Sequence, residues 1–412
     1  MVAEGILEPD RLRRYADAIV KASLGVKKGD TLVVSGEPAH RELMLAVVDA
    51  GYRAGAAISD MDYTDPYAYR ARMLSGSREA RTTVTPWRLR QYRELVKPEA
   101  ARAHISGTAD LGYLEGVPPK RIAESQAAVA AQLAWFQRAN LDMRARWTIA
   151  AWPTDLWAGQ VYPELATLAG KQKLAEDFLW FCRLSDEDGA GATGWLAHVK
   201  QIARRSAKLT KLELVALELR GPGTELEVKL ASGTRWLGGQ EENKNGAKLA
   251  PNMPTEETFT SPHADGTNGT FTCTFPLTFQ GRLIHGINGE FRNGRLVRID
   301  AAAKDDRGFL TAYIDSDPSG NGRRLGEVAL VDATSRVGQS GRTYFDTLMD
   351  ENAAAHIAFG AGFSGTRSGS TRGLNRSTIH LDVMIGGPDF EVTGIAANGR
   401  RLPVIAGGLW QI

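Results

Sequence analysis

Apolar residues in the first half of the chain alternate between a helical period and short strand-like runs. Between residues 40 and 55 they recur at helical spacing, while residues 31–35 and 57–63 are typical of strands. The same scheme returns at residues 102–106 and 147–152, which are again separated by helical sequence. Because strand, helix and strand follow one another, the pattern predicts parallel strands joined by crossover helices.

Beyond residue 207 the hydrophobic period changes to two. Residues 212–219 and 224–230 alternate between apolar and polar, which is typical of half-buried strands. Asn293-Gly294 stands between two further runs of this kind and is a strong signal for a type I′ hairpin. The pattern therefore predicts an α/β fold class, with an N-terminal α/β domain that contains a parallel sheet. A C-terminal α+β domain follows, dominated by antiparallel, barrel-like sheet.

The length and composition fit two ordinary globular domains, which we place at residues 1–207 and 208–412. The net charge of +2, from 50 basic and 48 acidic residues, provides no field for binding nucleic acid or a membrane surface. No apolar run reaches the roughly 18 residues of a membrane span. Cys182 and Cys273 have no CxxC partner, which excludes a disulfide framework. We therefore predict a cytoplasmic protein that binds neither nucleic acid nor membrane.

Carboxylates and imidazoles are concentrated in the second half of the chain, in apolar surroundings. Oxygen and imidazole nitrogen are ligands that Zn, Mn, Co and Fe accept, and thiolate is missing from the set. Each of these residues alone also fits a structural role, so the prediction depends on their concentration in one domain. The predicted ligands are Glu257, Glu327, Glu351, His356, His380 and Asp382.

The position of each histidine in the chain indicates which neighbouring carboxylate can share an ion with it. His380 and Asp382 lie two apart in a strand-like run, so their side chains point to the same face. Residues 350–360 are alanine-rich and predict a helix, on which Glu351 and His356 are separated by roughly 140°. These two can share an ion only if Glu351 precedes the first turn.

The remaining carboxylates are judged by their neighbours in the chain. Glu327 precedes four apolar residues, and burying such an acid is costly unless it is paired or bound to a metal. A water-facing position on an edge strand is the alternative for Glu327. Glu256 and Glu257 are adjacent, so on a strand one can be a ligand while the other is solvated.

Four carboxylates and two histidines are more ligands than one tetrahedral zinc ion takes. They suit two ions that share a bridging carboxylate, a centre that activates water for attack on an amide or ester. The same residue types also fit a mononuclear iron site with two histidines and one carboxylate.

At these residues the sequence resembles the thermophilic metalloaminopeptidase family of the aminopeptidase S/T type. The resemblance covers nearly the whole chain, and its specificity is concentrated after residue 250. The matching strings are Asn252-Met-Pro-Thr-Glu-Glu-Thr-Phe-Thr-Ser-Pro-His263, Arg324-Leu-Gly-Glu-Val-Ala-Leu-Val331, Asp350-Glu-Asn-Ala-Ala-Ala-His356 and His380-Leu-Asp-Val-Met-Ile-Gly386.

The resemblance implies a homodimer in which each chain holds two divalent ions, Zn, Co or Mn. It implies Glu257, Glu327, His356, His380 and Asp382 as ligands, with Glu327 as the bridge. Glu351 would be a further ligand or a carboxylate close to the ions. The substrates implied are the free N-termini of short peptides.

One position departs from the family pattern, which has a tyrosine seven residues after His356, where this chain has Phe363. On the predicted helix the two residues share a face. We place Phe363 and Tyr344 in the substrate pocket, and Tyr344 or Tyr313 can replace the missing hydroxyl. Without such a replacement, losing one oxyanion donor costs roughly a hundredfold or more in rate.

These observations predict a dinuclear metal-dependent aminopeptidase that cleaves N-terminal residues from short peptides, or a related small amide, by metal-activated hydroxide. Glu327 or Glu351 would act as the catalytic carboxylate that relays the proton. The alternative is a mononuclear iron ring-cleaving dioxygenase of the dihydroxypyridine dioxygenase type, whose ligands would be His356, His380 and Asp382. A mononuclear site has no use for both Glu257 and Glu327, which argues against it. A non-catalytic binding protein is the third hypothesis.

Overall fold

The computed structural model describes residues 5–107, 110, 112–189, 191–243, 245–280 and 282–412. The chain forms two compact units. The first extends to His198 and takes in Gln240–Pro254, and the second contains Val199–Gly239 and Thr255–Ile412. The division after residue 207 stays a prediction. Among the described residues no helix is both long enough and apolar enough to cross a bilayer.

Twelve α-helices are described, and all of the long ones except α9 and α10 belong wholly to the first unit. They are α1 (Pro9–Asp17), α2 (Arg41–Arg53), α3 (Pro66–Ser75), α4 (Arg78–Thr82), α5 (Pro86–Leu95), α6 (Pro119–Leu141), α7 (Asp155–Val161), α8 (Thr167–Phe181), α9 (Thr193–Lys211), α10 (Lys304–Asp315), α11 (Arg336–Gln339) and α12 (Thr347–Asp350). A π-helical turn, Ala18–Ser23, follows α1, and short 3₁₀ turns lie at Pro38–His40, Asp186–Asp188 and Ser364–Thr366.

The described strands are distributed over five sheets. They are β1 (Thr31–Gly36), β2 (Ile58–Tyr63), β3 (Ala100–Ser106), β4 (Arg146–Ala151), β5 (Leu214–Gly221), β6 (Thr224–Lys229), β7 (Glu241–Glu242), β8 (Lys248–Leu249), β9 (Asn252–Met253), β10 (Thr258–Thr260), β11 (Thr267–Thr272), β12 (Leu277–Phe279), β13 (Arg282–Ile284), β14 (Asn288–Arg292), β15 (Arg295–Asp300), β16 (Leu325–Leu330), β17 (His356–Gly360), β18 (His380–Met384), β19 (Glu391–Ala396), β20 (Arg401–Ala406) and β21 (Leu409–Trp410).

The first unit is built on a parallel sheet with the strand order β2-β1-β3-β4-β9. The helix α2 connects β1 to β2, as the alternation of hydrophobic periods predicts. Its buried positions include Leu43, Val47 and Ala50, which recur at helical spacing. The predicted N-terminal α/β domain with a parallel sheet is thus confirmed.

The second unit contains an eight-stranded antiparallel sheet with the order β15-β14-β11-β6-β5-β19-β20-β21. Asn293 and Gly294 join β14 to β15, and both have positive φ, as a type I′ turn requires. The predicted antiparallel C-terminal sheet is confirmed. In the described residues the strand order of this sheet ends at β15 and β21.

A separate four-stranded sheet in the second unit has the antiparallel order β10-β16-β17-β18. Its strand β17 occupies His356–Gly360, where the alanine-rich sequence predicts a helix, so that prediction is wrong. The helical part is only α12, which ends before His356. Alanine favours a helix locally, but the pairing of β17 with β16 and β18, which buries all five of its residues, outweighs this weak preference.

Candidate metal centre

The four-stranded sheet carries most of the predicted site residues on one face. Its register places Glu327 beside Ala358, and Ala358 beside Asp382, so these residues are in line across β16, β17 and β18. His356 precedes Ala358 by two positions, and His380 precedes Asp382 by two. Side chains two apart on a strand point to the same face, so four of the predicted ligands meet around Ala358.

The opposite face of the same strands is apolar. Val328, Ile357 and Leu381 alternate with the site residues and are buried in the core of the second unit. Removing this face from water stabilises the sheet, and in doing so it holds the polar face in a defined position.

A bulge in β16 brings Glu327 to the polar face. The register shifts between Leu325, which lies opposite Phe359, and Glu327, which lies opposite Ala358. In a regular register without the bulge, Gly326 would lie opposite Ala358, and Glu327 would lie opposite Ile357 and point into the apolar core. Glycine is required there because a Cβ atom on Gly326 would come within 2.2 Å of the carbonyl oxygen of Ala361.

Each histidine of the cluster lies within hydrogen-bonding distance of carboxylates through its Nε2 atom. His356 Nε2 is 3.2 Å from Glu257 Oε2. His380 Nε2 is 3.1 Å from Glu327 Oε2 and 3.2 Å from Asp382 Oδ1. The predicted convergence of His380 and Asp382 on one face of a strand is therefore observed.

The other ring nitrogen of each histidine is held by the backbone. His356 Nδ1 donates to the carbonyl oxygen of Glu351 at 3.1 Å, and His380 Nδ1 donates to that of Ala361 at 2.9 Å. A carbonyl oxygen can only accept, so Nδ1 carries a proton in both rings. Such a contact is the usual support of a metal-binding imidazole, because it directs Nε2 toward the ion.

Three sets of side chains have ligand atoms that all lie within 4.8 Å of one another. Glu327 and Asp382 each belong to two of these sets, and each shares one set with His356 and another with His380. The sets are Glu257, Glu327 and His356; Glu327, His380 and Asp382; and Glu351, His356 and Asp382. All six predicted ligands are thus brought together.

Burial and mutual repulsion shift two carboxylates of the cluster, Glu327 and Glu351, toward their neutral forms, whereas the two histidines lower the pKa of Asp382 against the effect of its burial. Burial raises the pKa of Glu327 to about 7, against the lowering effect of His380, and the charge of Glu257 adds to the increase. Burial, followed by the charges of Glu257 and Asp382, raises the pKa of Glu351 well above its ordinary value. Negative charge is therefore in excess at this site.

The histidines shift in the opposite sense. Burial alone would lower the pKa of His356, but its hydrogen bond to Glu257 and the nearby carboxylate charges raise it to about 10. Burial likewise opposes protonation of His380, yet Asp382 and Glu327 raise its pKa well above the ordinary value. Without an ion, protons on the histidines supply the positive charge that the carboxylates require.

Two expectations about the acids are corrected by their surroundings. The strand pattern allows Glu256 to be solvated beside the ligand Glu257, but Glu256 is buried. Its carboxylate accepts from the backbone N–H of Arg336, and its own N–H donates to Asn352, which offsets the cost of burial. Glu351 follows α12 directly and reaches His356 through a turn, so the 140° separation on a helix does not apply. Asn352 has no motif that would have revealed its role from sequence.

Phe363 lies beside the cluster, although not on a helix face shared with His356. It follows β17 after a short turn, and its ring is 5.3 Å from the His380 ring in an edge-on arrangement. Its ring is also 5.2 Å from that of Phe259. Its backbone N–H donates to Ser261 Oγ at 2.9 Å, which fixes the position of the residue.

The two tyrosines considered as hydroxyl donors differ in their surroundings. Tyr344 is fully buried, and its backbone N–H donates to Asp350 Oδ1 at 2.8 Å. Burial, together with the charge of Asp382, raises the pKa of Tyr313 to about 12, so that its phenol stays protonated. The electrostatic surroundings of Tyr313 therefore include a predicted ligand.

The sequence is similar to known proteins over nearly its full length. The model of the thermophilic metalloprotease (M29) family matches residues 8–410. Aminopeptidase T of Thermus thermophilus is 33% identical over 408 residues, covering 97% of this chain and 98% of that protein. Aminopeptidase 2 of Geobacillus stearothermophilus is 32% identical over 409 residues and covers 97% of each chain.

The fold is similar as well. The structure titled wild-type AmpT from Thermus thermophilus superimposes with a TM-score of 0.88 at 31% sequence identity. The match covers 98% of this chain and 99% of that one. The two-unit α/β architecture is therefore shared with a solved structure along the whole chain.

Proposed function

The chain belongs to the thermophilic metalloprotease (M29) family and is a metal-dependent aminopeptidase, and we propose that it holds two divalent ions in the cluster around Ala358. The observation that carries the proposal is the arrangement of the two histidines. Each has Nδ1 bound to a backbone carbonyl and Nε2 directed at carboxylates. This is how proteins prepare an imidazole to bind a metal.

The donor set fits such ions. Oxygen and imidazole nitrogen suit Zn, Co or Mn, the ions that the family resemblance implies. Burial raises the pKa of Glu327 to about 7, and the charges of Glu257 and Asp382 add to the increase. Divalent cations would neutralise this concentration of buried negative charge. A metal ion bound at Nε2 would also take the place of the proton that His356 holds in the metal-free site.

We assign Glu257 and His356 to one ion and His380 and Asp382 to the other. Glu327 connects the two pairs, since it belongs to the set that contains Glu257 and His356 and to the set that contains His380 and Asp382. A mononuclear iron centre would leave Glu257 without a function, although its Oε2 lies 3.2 Å from His356 Nε2. This contact favours hydrolysis over the dioxygenase alternative.

When bound, the two ions acidify a water molecule to a nucleophile and polarise the scissile carbonyl group. Glu351 is the carboxylate to which we assign proton transfer to the leaving amine, because Glu327 is committed to both ion positions. Burial and neighbouring charges raise the pKa of Glu351 well above its ordinary value, which favours its holding a proton.

A substrate reaches the cluster from the side of His380, whose side chain is 29% exposed, whereas that of His356 is 1% exposed. Phe363 lies on this side, and we propose that its ring contacts the first side chain of the peptide. Phe259 extends the same apolar surface. The pocket role of Tyr344, which is fully buried, stays a prediction.

Short peptides with a free N-terminus are the substrates that we propose, and a related small amide is the narrower alternative. The names of the relatives, aminopeptidase T and aminopeptidase 2, support peptide substrates. The homodimer and the cytoplasmic location stay predictions.

Metal analysis combined with an activity assay tests the proposal. We expect two zinc, cobalt or manganese ions per chain and hydrolysis of aminoacyl-nitroanilides that stops on chelation and returns when metal is restored. One iron per chain with oxygen uptake and no hydrolysis would instead establish the dioxygenase. N-terminally acetylated substrates serve as the control, because an aminopeptidase should leave them intact.

A further inference from the structure

Asp317 is a buried carboxylate outside the metal cluster, in the segment between α10 and β16. It is 3% exposed, and within the described part of the chain it forms no ion pair. A buried carboxylate without a cation requires several hydrogen bonds to offset its desolvation. The residues that donate hydrogen bonds to Asp317 therefore show which segments of the chain it holds in place.

Its hydrogen bonds connect two segments that are distant in sequence. From its own loop, Oδ2 accepts from Ser319 Oγ at 2.6 Å and from the Asn321 N–H at 3.0 Å. From the segment before β18, Oδ2 accepts from Ser377 Oγ at 2.8 Å. Oδ1 accepts from Thr378 through the hydroxyl at 3.0 Å and through the N–H at 3.3 Å.

The anchored segment leads directly into the His380 half of the cluster. Thr378 precedes His380 by two residues, and the intervening Ile379 receives a hydrogen bond at its carbonyl oxygen from the Ala361 N–H at 2.7 Å. The carbonyl oxygen of Ala361 in turn accepts from His380 Nδ1 at 2.9 Å. A displacement of residues 377–378 would thus be transmitted to the imidazole and to the residue that orients it.

The position of β18 in the sheet explains why it requires an anchor. Among the described strands, β18 is the last of the order β10-β16-β17-β18, and its strand partner is β17. His356 lies on β17, which pairs on both sides, and its Nδ1 is held by Glu351. None of the hydrogen bonds of Asp317 involves Glu257 or His356.

We propose that Asp317 is a positioning residue that sets the affinity of the His380–Asp382 ion position and leaves the Glu257–His356 position unaffected. The inference rests on the two-ion centre proposed above. It predicts that the two ions are separable: weakening the anchor lowers the occupancy of one ion and not of the other.

Metal titration of Asp317→Asn tests this. The amide keeps the shape and one acceptor oxygen, but it presents N–H groups to donors, so its anchor is weakened. We expect one ion to bind with wild-type affinity and the second to bind about 10- to 100-fold more weakly, the range seen when a residue supporting a ligand is lost. The value of kcat should fall at limiting metal and recover at saturating metal, with KM unchanged.

Asp315→Asn is the matched control. Asp315 is two residues away, and its carboxylate pairs with Arg323 and does not contact residues 377–378. This variant should retain both ions at wild-type affinity. Thr378→Val, which removes one donor to Asp317 and keeps the side-chain shape, should weaken the same single ion by a smaller factor and covers the case in which Asp317→Asn does not fold.

The outcomes separate this inference from the proposed function. If the wild-type chain binds two ions and both anchor variants keep both at wild-type affinity, the positioning role is refuted and the two-ion centre stands. Equal weakening of the two ions together with a lower Tm would show a general structural role and would also refute it. A wild-type chain that binds a single ion would refute the two-ion centre and this inference together.

Discussion

Replacing Glu327 by glutamine tests the centre most directly, since it removes one negative charge with little change in shape. Glu327 is 4% exposed, and its Oε2 lies 3.1 Å from His380 Nε2. The carboxylate also belongs to the ligand set of each proposed ion position, so the substitution affects both positions. An amide oxygen is a weaker ligand for a divalent ion than a carboxylate oxygen, so we expect both affinities to fall.

The expected loss of activity follows from the contribution of metal-ion catalysis, which is several kcal/mol of transition-state stabilisation. Since each 1.36 kcal/mol corresponds to a factor of ten, a loss of about 4 kcal/mol lowers kcat/KM by about a thousandfold. Initial rates on an aminoacyl-nitroanilide at saturating metal measure it. The metal content of the same samples shows whether the ions are still bound.

Thermal unfolding of the metal-free variant gives a second expectation: the substitution lowers activity but does not lower stability when no metal is bound. Burial raises the pKa of Glu327 to about 7, so a charged carboxylate is costly there when no ion is bound. The metal-free variant should therefore unfold at the same temperature as the metal-free wild type or higher. The wild type should gain about 2.7 kcal/mol at a metal concentration of 100 Kd, and the variant should gain less.

Glu256→Gln is the control, because Glu256 is equally buried and adjacent to a ligand but accepts from the backbone N–H of Arg336. We expect it to lose stability without losing metal. If Glu327→Gln keeps wild-type activity, or if its metal-free form is strongly destabilised while metal binding is intact, Glu327 is a structural residue and our reasoning is wrong.

Three further predictions concern separate parts of the chain. Gly326→Ala should abolish metal binding and activity and lower stability by about 1–3 kcal/mol, because the new Cβ atom would lie 2.2 Å from the Ala361 carbonyl oxygen. Metal analysis and urea unfolding measure these effects, and retained metal would contradict the role of the bulge. Phe363→Ala should raise KM at least about fivefold for peptides that begin with a large apolar residue, since an aromatic contact contributes about 1 kcal/mol. The KM for alanyl peptides should stay nearly unchanged, and equal effects on both substrates would remove Phe363 from the pocket. Burial lowers the pKa of His40 from 6.5 to about 4, so below pH 6.5 the unfolded chain binds more protons than the folded chain. The free energy of unfolding should therefore fall by at most about 3 kcal/mol as the pH drops to 4. Urea midpoints at pH 7 and pH 4.5 should show a smaller decrease for His40→Gln than for the wild type, and parallel decreases would contradict the assignment.

Much of the fold follows from local periodicity. The change from a helical period to a period of two separated the parallel sheet of the first unit from the antiparallel sheets of the second. The Asn293-Gly294 turn has positive φ at both residues, which the dipeptide predicts because these residue types tolerate that conformation. The failure at residues 350–360 has the opposite cause, because alanine's helical preference is weak and the pairing of β17 with two strands is decisive.

The sequence by itself determined which side chains share a strand face, and so it paired His380 with Asp382, which lie 3.2 Å apart between Nε2 and Oδ1. It also determined the chemical types of the ligands. Only the tertiary structure decided that Glu327 joins them, because that depends on one extra residue, Gly326, which shifts the register against Phe359 and Ala358. Spacing within one strand is a property of local backbone geometry, whereas alignment between strands is set by packing of the whole sheet, and no local pattern encodes it.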